Sequence, residues 1–287
     1  MRQVLQLLGG WDLAPVPLLG LVVAAVGYLL AVSRLRARQV APWPRRATAC
    51  FLGGLAVTGF AILGPPGAFD DTFFYAHMTQ HIMLTMLAAP LLVLGDPVLL
   101  ALRASSRGLR RRWLVPAYRS RLARHLANPV VGWLLFVGTV LVSHLPVVYD
   151  FALEHAAVHD YIEHPLYLFV ATVYFYTVLG PTTGPHRVHE GLRVLSLFTV
   201  MFPLAFLGFF IYATPHVDYP FYAHVERPFG PNPLQDQRLA GALMWSSAMG
   251  LSVLWMVLGG LRWLRADERR TRRLESKQMS VAGSTTP

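Results

Sequence analysis

Apolar residues in this chain gather into seven runs, about 14–32, 48–63, 74–94, 130–146, 165–179, 194–213 and 239–261. Apolar runs of about eighteen or more residues predict helices that cross a bilayer. The pattern therefore predicts an all-α integral membrane protein with seven transmembrane helices. Gly and Pro inside several runs, such as Pro90 and Pro203, agree with this, because membrane helices tolerate them better than soluble ones. No internal repeat is visible. Residues 1–261 are read as one seven-helix membrane domain, and 262–287 as a charged, flexible cytoplasmic tail that ends Ser/Thr-rich. Residues 1–11 lack the charged start and small-residue cleavage site of a secretory signal, so the first run is expected to be a span itself.

Composition supports the reading. Of 287 residues, 54% are hydrophobic and 14% charged, with a mean hydropathy of +0.45; an ordinary soluble domain carries about 25% charge. The alternative, a large all-helical soluble globule, fits this balance poorly.

The net charge of +10 gains meaning from its distribution. The connections 33–47, 96–129, 181–193 and 262–287 hold 22 of the 25 Lys and Arg residues but five of the 15 acids. The alternate connections hold the other three basic residues and ten acids. The positive-inside rule places the first set in the cytoplasm, with the N-terminus outside and the C-terminus inside. The Arg-rich stretch 103–124 is then an anchor on anionic membrane lipid. Nucleic acid is not expected as a partner, because Trp113 and Tyr118 are the stretch's only stacking side chains. The single cysteine, Cys50, rules out an internal disulfide framework and any Cys-rich metal site, and is expected to pack.

Chemistry concentrates in the histidines. On this orientation eight of eleven fall at or near the outer face: His77, His81, His144, His155, His159, His164, His216 and His224. His125, His186 and His189 fall inside. His77 and His81 are four apart, hence on one helix face, with Met78 on its flank. His155 and His159 repeat the spacing, on a short surface helix expected over 150–161. Glu163, four beyond His159, is placed to orient its ring. In the last run Gln237, Gly241 and Met244 form one stripe, in which Gly241 lets a neighbouring helix approach and Met244 reaches the depth of His81. His216 and His224, in a Pro- and Tyr-rich loop, are not expected to be ligands.

Taken singly, a membrane histidine is more often a helix contact than a ligand, and a methionine more often packing. Two paired-histidine motifs on one side, with a methionine on a third helix, favour a metal. Copper is preferred over zinc because the site faces the oxidising side, offers His and Met, and shows neither Cys nor a clean His/carboxylate donor set. Zinc remains open, as does haem held by two histidines from different helices.

The sequence His77-Met78-Thr79-Gln80-His81, followed by Ala89-Pro90-Leu91-Leu92-Val93-Leu94-Gly95-Asp96-Pro97, resembles the CtaG-type cytochrome c oxidase assembly factors. So do His144-Leu145-Pro146 with Tyr149-Asp150, His159 with Glu163-His164, and Asp236-Gln237 with Gly241 and Met244-Trp245. The likeness covers roughly residues 50–260. It implies a seven-helix protein of the bacterial plasma membrane that serves maturation of a haem–copper oxidase through its copper centre. On that resemblance His77, Met78, His81, His159, His164 and Met244 are expected copper contacts, with His144 and His155 as secondary candidates. The implied partner is a cytochrome c oxidase subunit, to which a metallochaperone would deliver copper. A metal-free structural partner of the oxidase, a haem protein and a copper transporter are the competing readings. There is no catalytic triad, phosphate-cradling Gly loop or redox CxxC, so no enzyme is expected.

Overall fold

The computed structural model describes residues 9–38, 42–180 and 190–284; His186 and His189 lie outside them. Every regular element among the described residues is helical. The long helices are α1 (Pro15–Ala37), α2 (Arg45–Leu63) and α3 (Phe74–Ile82). A π-helical turn, Met83–Ala88, and a further helical segment, Ala89–Leu94, prolong α3. Short helices then run through the Arg-rich stretch to Leu126, followed by α4 (Pro129–Ser143) and α5 (Pro146–Glu154). The chain ends in α6 (His164–Leu179), α7 (Glu190–Ala213) and α8 (Pro233–Ser284).

Among the described residues, six helices are long and apolar enough to cross a membrane. The fourth predicted run differs from expectation. Its helix α4 has 15 residues, about 22 Å at 1.5 Å per residue, which is short of a hydrocarbon core of about 30 Å. Pro146 then opens α5, and the axis turns by 77°. The count is seven if that bent pair is one span. The charged stretch after Arg262, expected to fray, continues α8 as far as Ser284.

Helix α3 is central, packed against α2, α6 and α8, while α4 packs on α6 and α7 on α8. The α7–α8 contact is close because Gly208 and Gly241 face each other. A Cβ on Gly241 would meet Tyr212 N at 2.5 Å and Gly208 O at 2.7 Å. Gln237, one turn before, ties the following loop to α8: its Oε1 accepts from Asp218 N at 2.7 Å and its Nε2 donates to His216 O at 3.0 Å.

The main core joins side chains of α3 to α8, including Phe74, Met78, Phe136, Tyr174, Phe175, Met244 and Trp255. A smaller core pins α1, where Trp43 Nε1 donates to Tyr28 Oη and that hydroxyl donates to Gly95 O. Cys50 is half-buried on α2. The outward faces are apolar, with Leu19, Val23 and Leu30 on α1, Phe206 and Phe210 on α7, and Val257 on α8 all exposed. Such a surface suits lipid and is costly in water.

Candidate metal centre

Helix α3 starts where a residue from the other end of the chain caps it. The backbone N–H groups of Phe74 and Tyr75 both donate to the Asp236 carboxylate, each at 2.9 Å. Arg227 Nη1 donates to the same carboxylate at 2.7 Å. The first amides of a helix have no partner within it, so this buried acid satisfies two of them. One turn later come His77 and His81, fully buried, with ring centroids 4.1 Å apart as their spacing requires.

The opposing wall is built differently from the expected helix over 150–161. Helix α5 ends at Glu154, and His155 leaves helical geometry (φ −120°, ψ 85°). After one turn, Ala156–Val158, the chain winds as a π turn, His159–Glu163, into α6. His155 is thus an N-cap whose carbonyl accepts from His159 N–H at 3.1 Å, while its side chain bonds elsewhere. It is exposed, its Nδ1 donates to Phe151 O at 2.8 Å, and it joins none of the buried histidines. A π turn repeats at five residues instead of four, and it pairs His159 with His164, ring centroids 4.5 Å apart. The His159 ring also stacks on His77, at 5.0 Å and 25°.

Two buried carboxylates complete the cluster. Asp70, in the connection before α3, places Oδ2 3.2 Å from His159 Nε2 and 4.0 Å from His164 Nε2. Glu163 holds His159 Nδ1 at 3.0 Å, as the four-residue spacing predicts, and its other oxygen lies 3.9 Å from His77 Nε2 and 3.7 Å from His81 Nε2. Two groups, Asp70–His159–His164 and His77–His159–Glu163, keep their donor atoms within 4.8 Å of one another. Burial raises the Asp70 carboxyl above its ordinary range, against the lowering effect of the His159 contact.

Both ring nitrogens of His77 and of His81, and Nε2 of His159 and His164, have no hydrogen-bond partner among the described residues; the 3.2 Å approach of His159 to Asp70 lacks hydrogen-bond alignment. A buried polar group left without a partner costs about 1–3 kcal/mol. So many in one place mark a candidate ligand site. Imidazole nitrogens with carboxylate oxygens suit a divalent ion such as zinc or copper(II). This corrects the expectation that no clean His/carboxylate donor set exists: the donor set itself no longer separates copper from zinc. With an ion on His159 Nε2 and Asp70, Glu163 would fix the ring from behind, the common carboxylate–histidine–metal arrangement.

The remaining predicted residues lie deeper. His144 ends α4, buried, with Nδ1 donating to Val140 O at 2.8 Å and Nε2 unpartnered. Met78 and Met244 are buried away from the carboxylates, and both line a small cavity with His81 and His144. His216 and His224 are surface residues. Sequence reasoning missed Asp70, which looked like one more loop acid, and gave Glu163 an orienting role alone. The adjacent pair Asp70-Asp71, just ahead of the His77 motif in an acid-rich connection, was the available signal.

Residues 26–266 match the family model described as cytochrome c oxidase caa3 assembly factor (Caa3_CtaG). The chain belongs to this family. The matched region contains every residue of the cluster. Among curated relatives, uncharacterized proteins of Mycobacterium leprae (strain TN) and Mycobacterium bovis (strain ATCC BAA-935 / AF2122/97) are each 29% identical over 255 residues. A protein of Mycobacterium tuberculosis (strain CDC 1551 / Oshkosh), also described as uncharacterized, has the same identity over the same length. These alignments cover 86% of this chain but 38% of each relative. The chain thus spans well under half the length of the curated relatives it matches. No solved structure matches it significantly.

Proposed function

We propose that this caa3 assembly factor holds a copper ion in the Asp70, His77, His159, Glu163 and His164 cluster and delivers it to a cytochrome c oxidase subunit. The observation that carries the reading is the set of converging buried imidazoles of His77, His159 and His164, whose Nε2 atoms have no hydrogen-bond partner among the described residues. The family description supplies the oxidase, and a haem–copper oxidase must receive copper during assembly. Haem is a poorer occupant. The rings of His77, His81, His159 and His164 approach their neighbours at 4.1–5.9 Å, and the cavity beside His81 and His144 measures about 30 Å³, against 300–1,000 Å³ for typical organic-ligand sites.

The role is non-catalytic. Ligand exchange along paired imidazoles passes an ion on without bond-making chemistry in the protein. The protein acts in a bacterial plasma membrane, crossing it seven times with the α4–α5 pair as one bent span. The acidic connections and the cluster face outside, and the Arg-rich stretch and C-terminus face the cytoplasm. The charge asymmetry supports this orientation, as does an open cleft lined by Arg38, Arg103, Arg107 and Arg110, suited to anionic lipid headgroups.

Metal analysis of detergent-purified full-length protein tests the reading. Wild type should retain about one divalent ion per chain after copper(II) loading and desalting, and His155→Ala should match it. His159→Gln with His164→Gln should lose the ion while helix content by circular dichroism stays unchanged. Equal stoichiometry in the double variant, or no retention by wild type, overturns the assignment.

A further inference from the structure

Beside the carboxylate cluster, α3, α4, α6, α7 and α8 line a small, partly open cavity of about 30 Å³. Three methionines from two distant parts of the chain line it: Met78, Met86 and Met244. His81 and His144 line it as well, and no acid does. Methionine often fills irregular gaps in a core, and such a gap alone would be unremarked packing. Two features argue otherwise. The cavity has room for one atom-sized guest. It is also bordered by unpartnered buried nitrogens, both of His81 and Nε2 of His144, with residue exposures of 3% and 4%. His144 Nδ1 is engaged by Val140 O, so in the neutral ring Nε2 carries the lone pair. The π turn of α3 is part of the construction. Met86 lies within it, on the stripe with Met78, Ile82 and Thr85 that lines the cavity.

We propose that this cavity is a second metal site, selective for monovalent copper. Thioether and imidazole donors without a carboxylate form a soft, uncharged donor set. That set suits copper(I), and it offers little to zinc, magnesium or calcium, which gain from harder or charged donors. The neighbouring cluster has the opposite character, with two carboxylates among its donors. His81 borders both, since its Nε2 lies 3.7 Å from Glu163 while its ring lines the methionine cavity. His81 therefore belongs to the lining of both sites. The assignment stands apart from divalent binding at Asp70 and His159, and the two can fail separately.

The test uses the full chain in detergent, with Cys50→Ala as parent so that no thiol contributes. Loaded anaerobically with copper(I), the parent should show sulfur scatterers in the copper X-ray absorption spectrum. Met78→Leu, Met86→Leu and Met244→Leu combined should remove the sulfur signal and weaken copper(I) retention against a chelator roughly tenfold or more. Copper(II) uptake should be unchanged in that triple variant. Asp70→Asn should show the reverse pattern, weakened copper(II) uptake with the sulfur signal intact. Should the triple variant fail to fold, the parent spectrum and Met244→Leu, which should lower the sulfur amplitude, decide. A parent spectrum with nitrogen and oxygen scatterers alone, or a folded triple variant that holds copper(I) as tightly as the parent, overturns the site. Sulfur scattering in a protein that takes up no copper(II) would leave this site standing and remove the carboxylate one.

Discussion

A single carboxylate, Asp236, decides where the histidine helix begins. It accepts from two amides of α3 and from Arg227, whose guanidinium also donates to Tyr222 O at 3.0 Å and lies over the Phe73 ring. The Arg227 side chain is 10% exposed, so removing its partner strands a buried charge. Asp236→Ala should destabilise the protein by about 3–5 kcal/mol, the usual cost of breaking a buried ion pair from one side. Adding Arg227→Ala should recover part of that loss. Unfolding midpoints of the purified protein read both outcomes, and a change under about 0.5 kcal/mol, ordinary for a surface substitution, would refute the capping role. Met86 and Asp70 gain their importance in the same way, through what lies opposite them.

At the scale of elements, two π turns shape the site, one in α3 and one leading into α6. A π turn leaves a carbonyl without its usual helical partner, and in α3 the Met86 carbonyl accepts from Trp255 Nε1 of α8 at 2.9 Å. Contacts of this kind make an energetically poor winding tolerable. Helix α8 in turn depends on its glycines unequally. Gly241→Ala forces a Cβ against the backbone of α7 and should cost about 1–3 kcal/mol through overpacking. Gly250→Ala, nine residues on, meets nothing within 4 Å and should raise stability by about 0.5–1 kcal/mol, because alanine loses less backbone freedom on folding. The same substitution on one helix thus has opposite signs, readable in one unfolding assay. Loss of stability at Gly250 or gain at Gly241 would contradict the α7–α8 packing.

For the whole molecule, the connections on one side of the spans hold ten of the 15 acids, with most histidines in or near them, and those on the other side hold 22 of the 25 Lys and Arg residues. That asymmetry is the basis for the proposed orientation. In a Cys50→Ala background, His224→Cys should react with a membrane-impermeant thiol reagent in intact cells, and Arg107→Cys should react after permeabilisation. Both replace exposed residues. The reverse order of labelling, or equal labelling of both, would reject the proposed sidedness and with it an outward-facing metal cluster.

Hydrophobic pattern alone established the all-helical membrane class, because the cost of exposing apolar runs to water is a property of local composition. Spacing alone paired His77 with His81 and His159 with Glu163, since four residues make one turn wherever the helix lies. Only the tertiary structure decided the rest. It bent the fourth run at Pro146, where a 15-residue helix is followed by a new axis. It left the His155 side chain exposed and apart from the buried rings, because the backbone leaves the helix at that residue, and matched His159 with His164 through a π turn that four-residue periodicity does not anticipate. It brought Asp70 within 3.2 Å of His159 and set Met244 on the same small cavity as His81, although these residues lie far apart along the chain. One-dimensional periodicity reports which side of a helix a residue occupies. Which residues finally touch depends on how separate helices meet, and on irregular turns held in place by partners elsewhere in the fold.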